Sequence, residues 1–141
     1  MDLPRLYPGR LDYCYAKGQP PATHIGNHNA TSQQLKDCAD NANAKVQGTG
    51  SVAGIAKHTE FKNNVDNLNN SRLLTEHTYL NGKEVPYGTP GGIRFDVVKV
   101  NIFGKPIAAW DLKTGSAFLS EQRIYEMRLL SGLWIPIYEI K

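Results

Sequence analysis

The stretch from Ile93 to Lys113, IRFDVVKVNIFGKPIAAWDLK, decides how this sequence folds. Two runs rich in β-branched and aromatic residues flank Gly104-Lys105-Pro106, a pattern that predicts paired strands over about 93–102 and 107–113. Asp96 sits inside the first apolar run, in RFDVV, where a buried carboxylate is costly without a compensating partner. In the second run Asp111 and Lys113 stand two apart, so both side chains emerge on one face of the sheet while Leu112 points to the other. If the two strands pair as a hairpin around Gly104, Asp96 and Asp111 approach each other near the same end. Two carboxylates brought together repel unless a divalent cation lies between them, and oxygen ligands of this kind suit Mg²⁺ or Mn²⁺. A lysine beside them can orient or deprotonate the attacking water, or neutralise a phosphate oxygen in the transition state. Hydrolysis of a phosphodiester uses all three groups. An isolated Asp-x-Lys is common on ordinary strand surfaces; the weight here comes from its setting, a strand WDLKTG preceded by an Asp-bearing strand and followed by a helix.

Working outward, SAFLSEQRIYEMRLLSG predicts a helix with Ser120 as N-cap, Ile124, Met127 and Leu130 on one stripe, and Gly132 as the stop. LWIPIYEIK reads as a last strand, with Pro136 favouring a sheet edge or a strand end. On the upstream side, TEHTYLNGKEVPYG carries the hairpin-turn pair Asn81-Gly82 between two short extended segments. Before it, Val52, Ile55, Ala56, Phe61, Val65 and Leu68 recur at helical spacing, although Gly54 weakens that helix. The order helix, strand, strand, strand, helix, strand implies an α/β sandwich with a mixed central sheet flanked by helices, over about residues 50–141. Residues 1–49 differ in character: Pro4, Pro8, Pro20 and Pro21 punctuate the start, and the polar run HIGNHNATSQQ follows. They are expected to form a linker or helical arm, with a modest helix opening at the N-cap Ser32 and a thin stripe of Leu35, Cys38, Ala39, Ala42 and Val46.

Composition sets broad bounds. The chain has 141 residues, about 40% hydrophobic and 21% charged, enough for one compact core plus an appendage and inconsistent with wholesale disorder. A formal charge of +3 is compatible with a polyanionic partner but equally with an ordinary solvated surface. Two cysteines, Cys14 and Cys38, allow one disulfide and exclude a disulfide framework. No apolar run approaches the ~20 residues that span a bilayer, and the opening MDLPRLYPGR lacks the apolar segment of a signal peptide. If exported, the protein is expected to travel as part of something longer. His24 and His28 stand four apart without the glutamate or cysteines of a zinc site, and His58, three residues before Phe61, reads as a packed or capping histidine. The glycine-rich GTPGG lacks the lysine and spacing of a phosphate-binding loop and reads as a turn.

The Asp96 and Asp111-Leu112-Lys113 pattern, with Phe95-Asp96 in place of a nominal Pro-Asp, resembles the PD-(D/E)XK nuclease superfamily, whose fold is restriction-endonuclease-like with αβββαβ order. The resemblance covers about residues 50–141. More narrowly, YLNGKEVPYGTPGGIRFDVV and GKPIAAWDLKTGSAFLSEQRIYEM resemble the C-terminal nuclease domains of bacterial polymorphic toxins, the variable ends of contact-dependent inhibition, Rhs and type VI effectors. That resemblance implies delivery from a larger secreted or surface-borne effector into the cytoplasm of a competing bacterium, and a cognate immunity protein in the producer.

It also implies a further acidic ligand on the first core helix, where Glu60 stands; Glu76, entering the first strand, is its rival. Gln122, on the helix after the catalytic strand, and Thr114, directly after Lys113, would contact phosphate or water, against the plainer readings of a helix-surface amide and a strand-end hydroxyl. Arg94 and Lys99, flanking Asp96, suit backbone phosphate contacts. The expectation is a Mg²⁺- or Mn²⁺-dependent endonuclease with DNA as first substrate. The alternatives are a tRNA-cleaving ribonuclease of the same fold and a non-catalytic module that binds nucleic acid or protein.

Overall fold

The computed structural model describes residues 22–141. The chain divides into two units, residues 1–33 and 34–141. Of the first, the described part is the beginning of helix α1 (Ala22–Lys45), which continues into the second. Helix α2 (Gly50–Asp66) follows, then strands β1 (Leu73–Leu80), β2 (Lys83–Val85), β3 (Ile93–Val100) and β4 (Pro106–Leu112), helix α3 (Glu121–Ser131) and strand β5 (Ile137–Ile140). The five strands form one mixed sheet in the order β2-β1-β3-β4-β5, antiparallel throughout except for the parallel pair β4 and β5.

The two-faced alternation of the strands builds a core on each side of the sheet. Val97, Ala108, Trp110, Leu112 and Ile140 pack with Phe61 and Val65 of α2 and with Leu35, Cys38, Ala39 and Ala42 of α1. Phe95, Val98, Val100, Ala109 and Ile137 pack on the other face with Met127 of α3. Trp110 is fully buried beside Tyr138, ring centroids 5.6 Å apart, so its truncation to Ala would cost about 3–5 kcal/mol. The Asn81-Gly82 turn joins β1 to β2 as expected, and its N–H groups also donate to the carbonyls of Leu130 and Ser131, closing the end of α3. Ser120 caps α3 by accepting from the Arg123 N–H at 3.1 Å, and Gly132 ends it at φ +74°, where an added Cβ would collide with Gly82 and Asn81.

Several expectations are corrected. The element order is αα ββββ αβ rather than αβββαβ, because Lys83–Val85 is a separate short edge strand and α1 adds a helix. Helix α1 begins at Ala22, so Ser32 lies inside it and is no N-cap. Its thin apolar stripe does face the core at Leu35, Cys38, Ala39 and Ala42, with Val46 just past its end and partly exposed. On α2 the expected stripe holds only in part: Phe61 and Val65 are buried, whereas Val52 and Ile55 are 81% and 69% exposed. In α3, Leu130 is exposed and Ser131 takes the buried position beside Met127. Pro136 precedes β5, which is an edge strand as expected. Cys38 is a buried thiol whose pKa is raised by burial and by nearby Asp37; Cys14 lies outside the described residues. Among the described residues no helix is long and apolar enough to cross a membrane.

Candidate active site

The site is built where strands β3 and β4 part. Their ladder runs from Val100↔Pro106 to Val97↔Trp110, and beyond it β4 continues to pair with β5 as Asp111↔Glu139 and Leu112↔Ile140. Asp96 and Asp111 are the first residues past the end of the ladder, one on each strand. The Leu112 N–H donates to Asp96 Oδ2 at 2.7 Å, so a carboxylate fills the position a strand carbonyl would take.

The cause of this departure lies on β1. The β1–β3 ladder pairs Thr75 with Val97 and His77 with Phe95, and skips Glu76 and Asp96 between them. Glu76 has φ +57°, left-handed backbone that is uncommon for a side-chain-bearing residue inside a strand. The local twist reassigns faces: Phe95 enters the α3-side core and Val97 the α1/α2-side core, although a regular strand would put both on one face. Asp96 sits at that switch, free to lean across toward β4.

Burial and mutual repulsion act against the charged form of Asp96. Burial raises the Asp96 pKa first, and the neighbouring Asp111 carboxylate adds to this by its charge and by a hydrogen bond between the two side chains. The Leu112 N–H and His58 oppose the rise, and the net result is about 7. Burial and the Asp111 charge thus favour the protonated form of Asp96. Lys113 Nζ lies 2.8 Å from Asp111 Oδ2, which bears out the prediction that these two side chains emerge together.

His58 has a larger part in this region than packing alone. It reaches from α2 to the end of β4, with Nε2 3.0 Å from the Leu112 carbonyl oxygen and 3.7 Å from Asp96 Oδ2, and Nδ1 2.9 Å from the Gly54 carbonyl oxygen. The backbone of Leu112 is thereby held at both polar atoms, its N–H by Asp96 and its C=O by His58. Gly54, which weakens α2 on propensity, faces the chain that follows Lys113: a Cβ there would lie 3.4 Å from the Thr114 hydroxyl, an ordinary contact.

The remaining predicted residues separate into two groups. Glu76 and Arg94, with Ser51, Gly54, Ile55, His58 and Thr59, line an open cleft of about 390 Å³ between α2 and the sheet. Glu60 does not line it: its carboxylate is paired with Lys45 Nζ at 3.1 Å, joining α1 to α2. Gln122 is exposed on the first turn of α3, and none of the described contacts joins it to the carboxylates. Lys99 lies farther along β3, partly buried, its pKa lowered by that burial and by Arg72.

Two features escaped the sequence reading. Glu139 neighbours Asp111 in the parallel register, and its Oε1 accepts from the Leu119 N–H at 2.7 Å; with Lys141 Nζ donating to the Ala117 carbonyl at 2.6 Å, it pins the loop after Lys113 to β5. The alternation of IYEIK marked Glu139 as outward-facing but could not name its neighbour. The other is Tyr87, whose ring lies beneath the Arg94 guanidinium.

Among the described residues no group of three or more His, Cys, Asp or Glu side chains is disposed to hold a metal ion. Asp96 and Asp111 still offer two adjoining oxygen donors whose mutual repulsion a divalent cation would relieve. Mg²⁺ commonly takes one or two protein carboxylates and completes its octahedron with water and substrate phosphate, so a two-carboxylate site suits it. No family model matches this chain, and no characterised protein or solved structure matches it.

Proposed function

We propose that the α/β unit is a metal-dependent endonuclease centred on Asp96, Asp111 and Lys113. The observation that carries this reading is the adjoining, partly buried pair of carboxylates at the parting of β3 and β4, with a lysine ammonium 2.8 Å from one of them. Asp96 and Asp111 would hold Mg²⁺ or Mn²⁺, and Glu76, opposite Asp96 across the β1–β3 ladder, is better placed than Glu60 to extend the acidic shell. A bound divalent cation supplies Lewis-acid polarisation of the phosphate. Lys113, kept close by Asp111, offers a positive charge where negative charge builds up during phosphoryl transfer. Arg94, exposed on the cleft wall, grips the nucleic-acid backbone, and Thr114 adds a hydroxyl beside α2. The His58 and Asp96 contacts fix the end of β4, and so the direction in which Asp111 and Lys113 project.

DNA is the first substrate to test and tRNA the second. On the resemblance to polymorphic-toxin domains, the activity would be directed at the nucleic acid of a competing bacterium and held off in the producer by an immunity protein. Purified protein incubated with plasmid DNA and, separately, with total tRNA, in Mg²⁺, Mn²⁺ or EDTA, tests the core of the proposal. The expected result is metal-dependent degradation that Asp111→Ala abolishes. Intact nucleic acid under every metal would overturn the enzyme reading in favour of a binding module.

A further inference from the structure

We propose that Tyr87 and Arg94 form a stacking seat for an unpaired nucleobase at the mouth of the cleft, so that the preferred substrate is a single-stranded or looped nucleic acid rather than an uninterrupted duplex. This deepens the nuclease reading and rests on it for the identity of the bound chain.

Tyr87 lies in the connection between β2 and β3 and is 78% exposed. A single exposed aromatic residue is ordinary on a protein surface. What sets this one apart is its company. The Arg94 guanidinium stands 5.0 Å from the ring centroid, a cation–π arrangement that occupies one side of the ring. The same Arg94 lines the cleft with His58 and Glu76, and lies two residues before Asp96 on β3, roughly 7 Å of strand. A base stacked on Tyr87 would therefore belong to a nucleotide close to the one presented to the carboxylates, with Arg94 between them able to meet the intervening phosphate.

The connection carrying Tyr87 is internally bonded. Thr89 donates to the Pro86 carbonyl through both its N–H, at 3.2 Å, and its hydroxyl, at 2.7 Å, and the Gly92 N–H donates to the Thr89 carbonyl at 3.0 Å. Gly92 packs so tightly on β1 that an added Cβ would lie 2.8 Å from Thr78 Cγ2. The tyrosine itself is largely exposed, so the ring is open to solvent on the side away from Arg94. A braced aromatic ring next to open space loses little side-chain entropy when a base settles on it. Bases inside a duplex are already stacked on both faces, whereas unpaired bases are free to stack on aromatic and Arg planes, in RNA loops and in single-stranded DNA alike.

The test uses the Asp111→Ala protein, in EDTA, with 2-aminopurine-labelled single-stranded DNA and RNA oligonucleotides and their fully paired duplexes; wild-type protein with Mg²⁺ is assayed for cleavage of the same oligonucleotides. The expected result is a stacking-dependent fluorescence change with the single strands and at least about 10-fold weaker binding of the duplexes. Tyr87→Ala should weaken single-strand binding by about 10-fold and remove the fluorescence change, and Tyr87→Phe, which keeps the ring, should retain both. Whichever single strand is bound more tightly names the nucleic acid. Equal binding of duplex and single strand, or a Tyr87→Ala protein indistinguishable from its parent, would overturn the seat, and wild-type cleavage in that case would leave the nuclease standing. Stacking without cleavage would uphold the seat and remove the nuclease.

Discussion

Asp66 and Asp96 are the same residue type set against the same helix and sheet, and their surroundings drive them in opposite directions. At the C-terminal end of α2, Asp66 receives Lys62 Nζ at 2.8 Å and the Thr75 hydroxyl at 2.9 Å. Burial pushes its pKa up, but the two hydrogen bonds and the Lys62 charge outweigh it, and the carboxyl is held below its usual range. Asp96 is the more deeply buried and stands beside a second acid, Asp111, so burial and repulsion outweigh the Leu112 N–H and His58. One carboxylate is supplied with donors and fastens α2 to β1. The other faces a second acid, with the Leu112 N–H and the His58 ring only partly offsetting it. The difference separates a structural ion pair from a site prepared for a cation or a proton; the apolar context RFDVV marks Asp96 as costly to bury, whereas NNVDNL gives no sign of the Lys62 and Thr75 contacts that Asp66 makes.

The largest expected effect falls on the poised end. Asp111→Ala should lower the cleavage rate by at least about 100-fold while the unfolding transition stays cooperative, as read by gel assay and circular dichroism. Retained cleavage would erase the functional half of the comparison.

Next comes the pH dependence. Asp96 keeps its proton in the folded protein up to about pH 7, whereas the unfolded chain loses it near the ordinary value of 3.8, so between these limits the folded state binds more protons. Metal-free stability should therefore fall as pH rises through that window, by on the order of 2–3 kcal/mol between pH 5 and pH 7, and the loss should be complete above it. Urea unfolding in EDTA at pH 5 and pH 8 measures this. Asp96→Asn should flatten the profile, and Mg²⁺ at pH 8 should restore stability to the wild type. A flat wild-type profile would show that the two carboxylates are not in contention. Asp66 has the opposite sign: its contribution is present above the ordinary carboxylate pKa and is lost as pH falls through its lowered value.

A smaller effect is expected at His58, which supports the poised end without belonging to the acid pair. His58→Ala frees the Leu112 carbonyl from α2 and should reduce cleavage by about 10-fold with a change of only about 1 kcal/mol in stability. A loss of stability without any loss of rate would reduce the histidine to a packing role. Smallest of all, Asp66→Asn should cost up to about 1 kcal/mol, since its pair with Lys62 is partly exposed, and should leave cleavage unchanged. An effect on cleavage there would break the separation between the two ends.

Much of this arrangement was legible in the sequence because it follows from short-range periodicity. The period of two around Asp111 and Lys113, the Asn81-Gly82 turn, and the Ser120 and Gly132 boundaries of α3 all reappear in space. What stayed hidden depends on contacts between distant segments. Glu60 occupied the expected helix position, yet Lys45 had already engaged it. Glu76 adopts left-handed backbone that no strand pattern reveals, and with it goes the face switch that frees Asp96. The early turns of α1, through THIGNHNATSQQ, carry residues of weak helix propensity and no clear apolar stripe, so its start at Ala22 could not be read from local preference. Val52 and Ile55 have helical spacing, but spacing does not say whether a core lies beneath them, and over α2's first turns it does not.

The meeting of the Asn81-Gly82 turn with the end of α3 also orders the assembly of the molecule in time. A hairpin closes from local contacts in roughly microseconds, whereas the last carbonyls of α3 find their partners only on that turn, far upstream in the chain. The terminal turn of α3 therefore matures after the hairpin, and the amide hydrogens of Asn81 and Gly82, which donate to its carbonyls, should become protected from exchange only once α3 has docked.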